Sequence, residues 1–119
     1  MEIVNLSRVP KEPLVHEIFT GRDVTKQELL SNSREYEMNN VNFGKGVRCK
    51  FHSHDTEQIL IVTAGTGVVA TEKEERVVNT GDVIFIPKGE KHWHGSDGTS
   101  EFSHIFIYRK GTKYNILED

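Results

Sequence analysis

The sequence predicts an all-β domain that closes as a compact barrel or a double-sheet jelly roll. Three observations predict it. From Tyr36 onward the chain is a series of short β-branched and aromatic runs punctuated by glycine, the pattern of strands and turns. Eight such runs fit into about 75 residues, so the turns are closely spaced. Only one stretch, within the first 35 residues, carries a helix signature.

In the N-terminal part, residues 3–6 and 14–20 are expected as edge strands, with Pro10 and Pro13 breaking the chain between them. Thr25 and Glu28 stand at capping-box spacing, so one short helical turn is expected there. The strands then follow at Tyr36–Phe43, 47–51, 58–63, 67–71, 76–78, Val83–Ile86, 92–94 and 102–108. Turns fall at 65–67, 79–82 and 87–89, each of which holds a glycine able to take positive φ. The charged run 72–76 reads as a solvated hairpin tip. A chain of 119 residues buries one core, not two. The expected organisation is an N-terminal extension over residues 1–35 and a barrel over residues 36–119.

Charge and composition narrow the partners. The net charge is −3 and the basic residues are scattered, which argues against nucleic acid or an anionic membrane as partner. Cys49 is the only cysteine, so no internal disulfide forms and a reducing compartment is expected. The N-terminus shows no basic stretch followed by an apolar one. The longest aliphatic run, 59–62, is far short of the roughly 20 residues that span a bilayer. A soluble cytoplasmic protein is the expectation.

Two blocks carry chemistry. The first holds Gly46, His52, His54, Gln58 and Gly65; the second holds Gly81, Pro87, Gly89, His92 and His94. Residues two apart on a strand share a face, so His52 and His54 aim two imidazoles at one point. A third imidazole from the second block, with an amide or carboxylate at Gln58 or Glu57, completes a four-ligand set. Imidazole with oxygen donors suits Mn, Fe, Co, Ni or Zn. Bonds of about 2 Å then require His52, His54 and His92 to bring ring nitrogens within roughly 5 Å of one another. Strand parity favours Gln58, which shares a face with Leu60 and Val62, but a turn at 55–57 resets parity, so Glu57 stays open.

These blocks resemble the two motifs of the cupin family: Gly, five residues, His-x-His, three or four residues, Glu, six residues, Gly; then Gly, five residues, Pro-x-Gly, two residues, His. Nine positions agree in spacing, eight of them also in residue type, and residues 66–80 supply the short spacer typical of small microbial cupins. The resemblance covers residues 46–108 and implies a double-stranded β-helix barrel with a metal inside one end. The departure is Gln58, where the family pattern has Glu. A neutral amide oxygen leaves the metal its full charge, which favours Lewis-acid chemistry over stabilising a ferric state. With Gln58, the Lys91–Gly95 stretch and His104, the chain is similar to a His3Gln subgroup. That subgroup includes carboxymuconolactone decarboxylase-associated cupins and manganese-containing bacterial hydroxynitrile lyases. The resemblance implies that His52, His54, Gln58 and His92 bind one divalent transition metal (Mn, Fe, Zn or Ni, with Mn favoured). It also implies that His104 acts near the substrate as acid or base.

The remaining residues have two readings each. His94 is two residues past His92 and either lines the pocket, assisting His104 as a second catalytic group, or binds metal. His104 shares a face with Phe102, Phe106 and Tyr108, which suits proton transfer to a small organic substrate, or a satisfied core position. Arg48 and Lys50 either reach into the barrel mouth or sit solvated, and Cys49, alternating with them, packs outside the site. Trp93 packs the barrel, and His16 lies at the surface or an interface. The expected function is a redox-neutral metal enzyme of lyase, decarboxylase or isomerase type acting on a small molecule. The alternatives are an Fe(II) dioxygenase and a non-catalytic metal or small-ligand binder. A homodimer is expected, because the apolar N-terminal strands need a cover.

Overall fold

A computed structural model gives the structure of the chain over residues 1–119. It has ten strands: β1 Glu12–Pro13, β2 Val24–Glu28, β3 Tyr36–Phe43, β4 His52–His54, β5 Gln58–Thr71, β6 Glu75–Asn79, β7 Val83–Ile86, β8 His92–Ser96, β9 Phe102–Arg109 and β10 Tyr114–Ile116. They pair in the order β1-β2-β3-β9-β5-β8-β4-β10, with β6 and β7 each pairing β5. All pairings are antiparallel. No helix is long and apolar enough to cross a membrane.

Strand β5 joins the two halves of the barrel. Its first part pairs β7 and β9, and its second part pairs β6 and β8. The sequence predicts two strands here with a turn at 65–67. The structure has one 14-residue strand instead, with a register shift between Val62 and Ala64. Gly65 follows the bulge at φ 74°, and a Cβ there would run into the carbonyl oxygen of Glu101. The glycine bends a continuous strand from one sheet into the other. Gly65→Ala is therefore expected to lower stability by about 3 kcal/mol, from left-handed backbone strain plus overpacking. Urea denaturation measures it, and an unchanged midpoint would contradict the account.

The N-terminal part departs most from expectation. Residues 25–28 are extended, because all five residues of β2 pair with β3, and a full ladder outweighs a local capping pattern. Gln27 adds side-chain bonds to the carbonyl oxygens of Leu6 and Val9, at 3.1 and 2.8 Å. Residues 3–6 form no strand; a 3-10 turn at Leu6–Arg8, capped by Asn5, folds over Gln27 instead. Of residues 14–20, only Phe19 makes a bridge, to Cys49. Residues 47–51 likewise carry isolated bridges rather than a strand.

Alternation decides what lies inside. Val24, Val41, Phe43, Cys49, Val62, Val78 and Phe102 form the apolar core. The same period that buries Phe43 and Val41 on β3 turns Asn39 inward, and the period that buries Phe102 on β9 buries His104. On β4 both histidines are buried and Ser53 between them is not.

Candidate metal centre

Three short segments place the imidazoles. Strand β4 lies between β8 and β10, with His52 directly opposite His92 and also paired with Ile116. Cross-strand partners face the same side of a sheet, and the rings of His52 and His92 have centroids 4.3 Å apart. His52, His54 and His92 each offer a ligand atom, and these atoms lie within 4.8 Å of one another. The distance is inside the limit that a shared metal sets.

The tautomers suit ligation. Nδ1 of His52 is 2.7 Å from the carbonyl oxygen of Lys50, and Nδ1 of His92 is 2.8 Å from that of Glu90. Each Nδ1–H donates to its carbonyl, which leaves Nε2 with a free lone pair. Nε2 of His92 is buried without a partner, and so is Oε1 of Gln58. Gln58 opens β5 and is only 3% exposed, whereas Glu57 is exposed. Leaving such acceptors unpaired costs about 1–3 kcal/mol each. One divalent cation would satisfy them together, so the residues fit the metal that the motif implies.

Electrostatics agree with this fit. Burial, reinforced by the neighbouring His92, pushes His52 down to about 3. Burial and His92 push His54 down to about 4, and burial lowers His92 too. The three imidazoles are neutral at physiological pH, the form in which they bind metal.

His94 and His104 form a second buried pair beside the first cluster. Nδ1 of His94 is 2.9 Å from Nε2 of His104, and Nε2 of His94 and Nδ1 of His104 are both without partners. Burial holds His104 at about 4, below the 6.5 of an unfolded chain. Between those two values the unfolded state binds the extra proton, so stability falls as pH drops through the window. The metal-free protein should melt several degrees lower at pH 4.5 than at pH 7, as read by circular dichroism. A flat melting temperature across that range would contradict the burial.

A cavity of about 220 Å³ is lined by His52, His54 and Gln58 from the first cluster and by His94 and His104 from the second. Phe106 and Tyr108 line it too. The Tyr108 hydroxyl is raised above its usual range by burial, with Glu37 adding to the effect.

The parity assigned to residues 48–50 needs correction. Cys49 is buried and lines the cavity, with Sγ 3.7 Å from Nδ1 of His94. Arg48 points away: it pairs with Glu118 at 2.8 Å and lies 4.6 Å above the Trp93 ring. The cause is the irregular backbone at Lys50 and Phe51, which shifts alternation by one before His52. Glu118 holds this bend by accepting from the Phe51 N–H at 2.8 Å. Trp93 packs against the core, and exposed His16 meets the Tyr114 hydroxyl at 2.6 Å at the cavity rim. Sequence reasoning missed Asn39 and Tyr114 as cavity residues. The alternation of Asn39 with Val41 and Phe43 was a usable signal, whereas the three residues of β10 gave none.

Residues 39–108 match the model of the cupin domain family. The chain belongs to the cupin family. This cupin is 41% identical over 73 residues to an (R)-mandelonitrile lyase from Granulicella tundricola; the match covers 59% of the cupin and 54% of the lyase. It is 34% identical over 62 residues to an acireductone dioxygenase from Frankia alni, across 49% of the cupin and 30% of the dioxygenase. The chain thus spans about half of the one relative and under a third of the other. The crystal structure of a cupin-like protein from Thermotoga maritima superposes with a TM-score of 0.81 at 31% identity, covering 90% of this cupin and 84% of that chain.

Proposed function

We propose that this cupin is a mononuclear metal enzyme of redox-neutral, lyase type that acts on a small oxygen-bearing molecule in the cytoplasm. The observation that carries the reading is Gln58: its amide oxygen is buried and unpartnered, while the neighbouring carboxylate of Glu57 is exposed. His52, His54, Gln58 and His92 are the proposed ligands. A divalent metal held there, with manganese favoured by the family resemblance, supplies a Lewis-acid centre for a substrate oxygen. The likeness to a lyase supports this reading. A dioxygenase role, for which the acireductone dioxygenase match speaks, is disfavoured by a ligand set without a carboxylate.

His94 and His104 are the proposed acid–base pair. Both are neutral at pH 7 and line the cavity. A proton accepted at Nε2 of His94 is balanced by transfer of the Nδ1 proton of His94 to Nε2 of His104 across the 2.9 Å contact. The transfer changes the tautomer of His94 and leaves His104 as the protonated ring. Burial keeps both imidazoles neutral, the form that can accept a proton from a bound substrate. The test is turnover of manganese-loaded protein on a panel of hydroxy and keto compounds, followed by oxygen uptake. Turnover without oxygen consumption supports the reading, and stoichiometric oxygen uptake rejects it.

A homodimer is also proposed. Residues 1–35 extend the barrel, and the outer face of β5 and β7 leaves Ile59, Val83 and Phe85 exposed side by side. Exposed apolar patches of this kind mark association surfaces. Phe85→Lys should shift the mass by light scattering from dimer to monomer; a monomeric wild type at micromolar concentration would contradict the proposal.

A further inference from the structure

The three asparagines of β3, at positions 39, 40 and 42, behave differently. Asn40 and Asn42 lie on the face of β3 turned away from the cavity and are satisfied, Asn40 although it is buried: Asn40 donates to Gln27 at 2.9 Å and accepts from Thr63 at 2.7 Å, and Asn42 accepts from Ser103 at 2.6 Å. Asn39 faces inward, between Glu37 and Val41 and opposite Phe106 of β9, and lines the histidine cavity. It is 8% exposed, yet its Oδ1 is buried with no partner. A buried amide with nothing to bond is costly and calls for an explanation. Packing gives none, because an apolar side chain would fill the same place among Val41, Phe43 and Phe106 without the loss.

The position of Asn39 sets the reach of what it meets. Only β9 separates β3 from β5, which carries Gln58, so two strand spacings, about 10 Å, lie between them. The cavity of about 220 Å³ is larger than an apolar protein cavity of roughly 150 Å³ that is known to admit benzene. The excess suits a few atoms at either end of one ring. An amide presents an acceptor and a donor, and a hydroxyl is a group that answers either.

We infer that the cavity selects a single-ring molecule with an oxygen function at the histidine end and a hydroxyl at the other, and that Asn39 is the specificity-determining residue that reads the hydroxyl. This inference rests on the metal reading proposed above. Phe106, Val41 and Phe43 supply the apolar wall between the two polar ends.

The test compares benzoate with 3- and 4-hydroxybenzoate, titrated by calorimetry into protein carrying one equivalent of Mn(II). The wild type should bind one of the hydroxylated compounds about tenfold more tightly than benzoate, the worth of one well-made hydrogen bond. Asn39→Leu should bring that ratio near one at unchanged metal content, and Asn39→Asp, which keeps an acceptor, should retain the preference. Asn39→Ala serves if the leucine variant does not fold. Equal binding of all three compounds by the wild type, or a preference that survives Asn39→Leu and Asn39→Ala, overturns the inference and leaves the metal reading standing. Metal uptake with no binding of any compound does the same. A protein that takes up no Mn(II) overturns both.

Discussion

Gln58→Ala should lower metal affinity by at least tenfold, while Glu57→Ala leaves it within twofold of wild type. Loss of one of four ligands exceeds the 10–100-fold effect typical of removing a group that only orients a ligand. The asymmetry follows from burial: Gln58 is 3% exposed with an unpartnered carbonyl oxygen, and Glu57 faces solvent. Competition with a fluorescent chelator measures both variants. The reverse order, with Glu57→Ala the damaging change, would make the site His3Glu and restore the oxygenase reading.

His104→Gln should retain metal and melting temperature while turnover falls 10²–10⁴-fold, the usual cost of a lost general acid–base. Glutamine is close to histidine in size and keeps a hydrogen-bonding atom for His94, so the buried contact at 2.9 Å survives in kind. What it removes is a site that takes up and releases a proton. Metal analysis, circular dichroism and steady-state rates are read together. If the variant loses metal or melts several degrees earlier at full activity, His104 is a structural residue and the proton-transfer role is wrong.

The parts of this molecule that sequence reading reached are those where strand alternation runs unbroken. His52 with His54, Gln58 with Leu60, and His104 with Phe102 all keep their parity, and each of these residues is buried. Reading failed where the backbone is irregular. The bend at Lys50 and Phe51 turned Cys49 in and Arg48 out, and nothing local in Lys-Phe announces a shift of one residue. Gly65 reads as a turn because glycine at positive φ serves both turns and bulges. Only the tertiary pairing of β5 with β9 separates the two. Thr25 and Glu28 carry a sound capping pattern that β3 overrides by pairing. The cross-strand placement of His92 opposite His52 is likewise a property of the assembled sheet, which no spacing within either block encodes.

The central claim is that the first histidine cluster with Gln58 is a site for one divalent metal. Its most direct test is elemental analysis by mass spectrometry after stripping with chelator, dialysis against Mn(II) and removal of excess ion. The account predicts one metal per wild-type chain and a small fraction of that in His52→Ala and His92→Ala. A wild-type chain that retains no metal, or variants that retain as much as wild type, would contradict it.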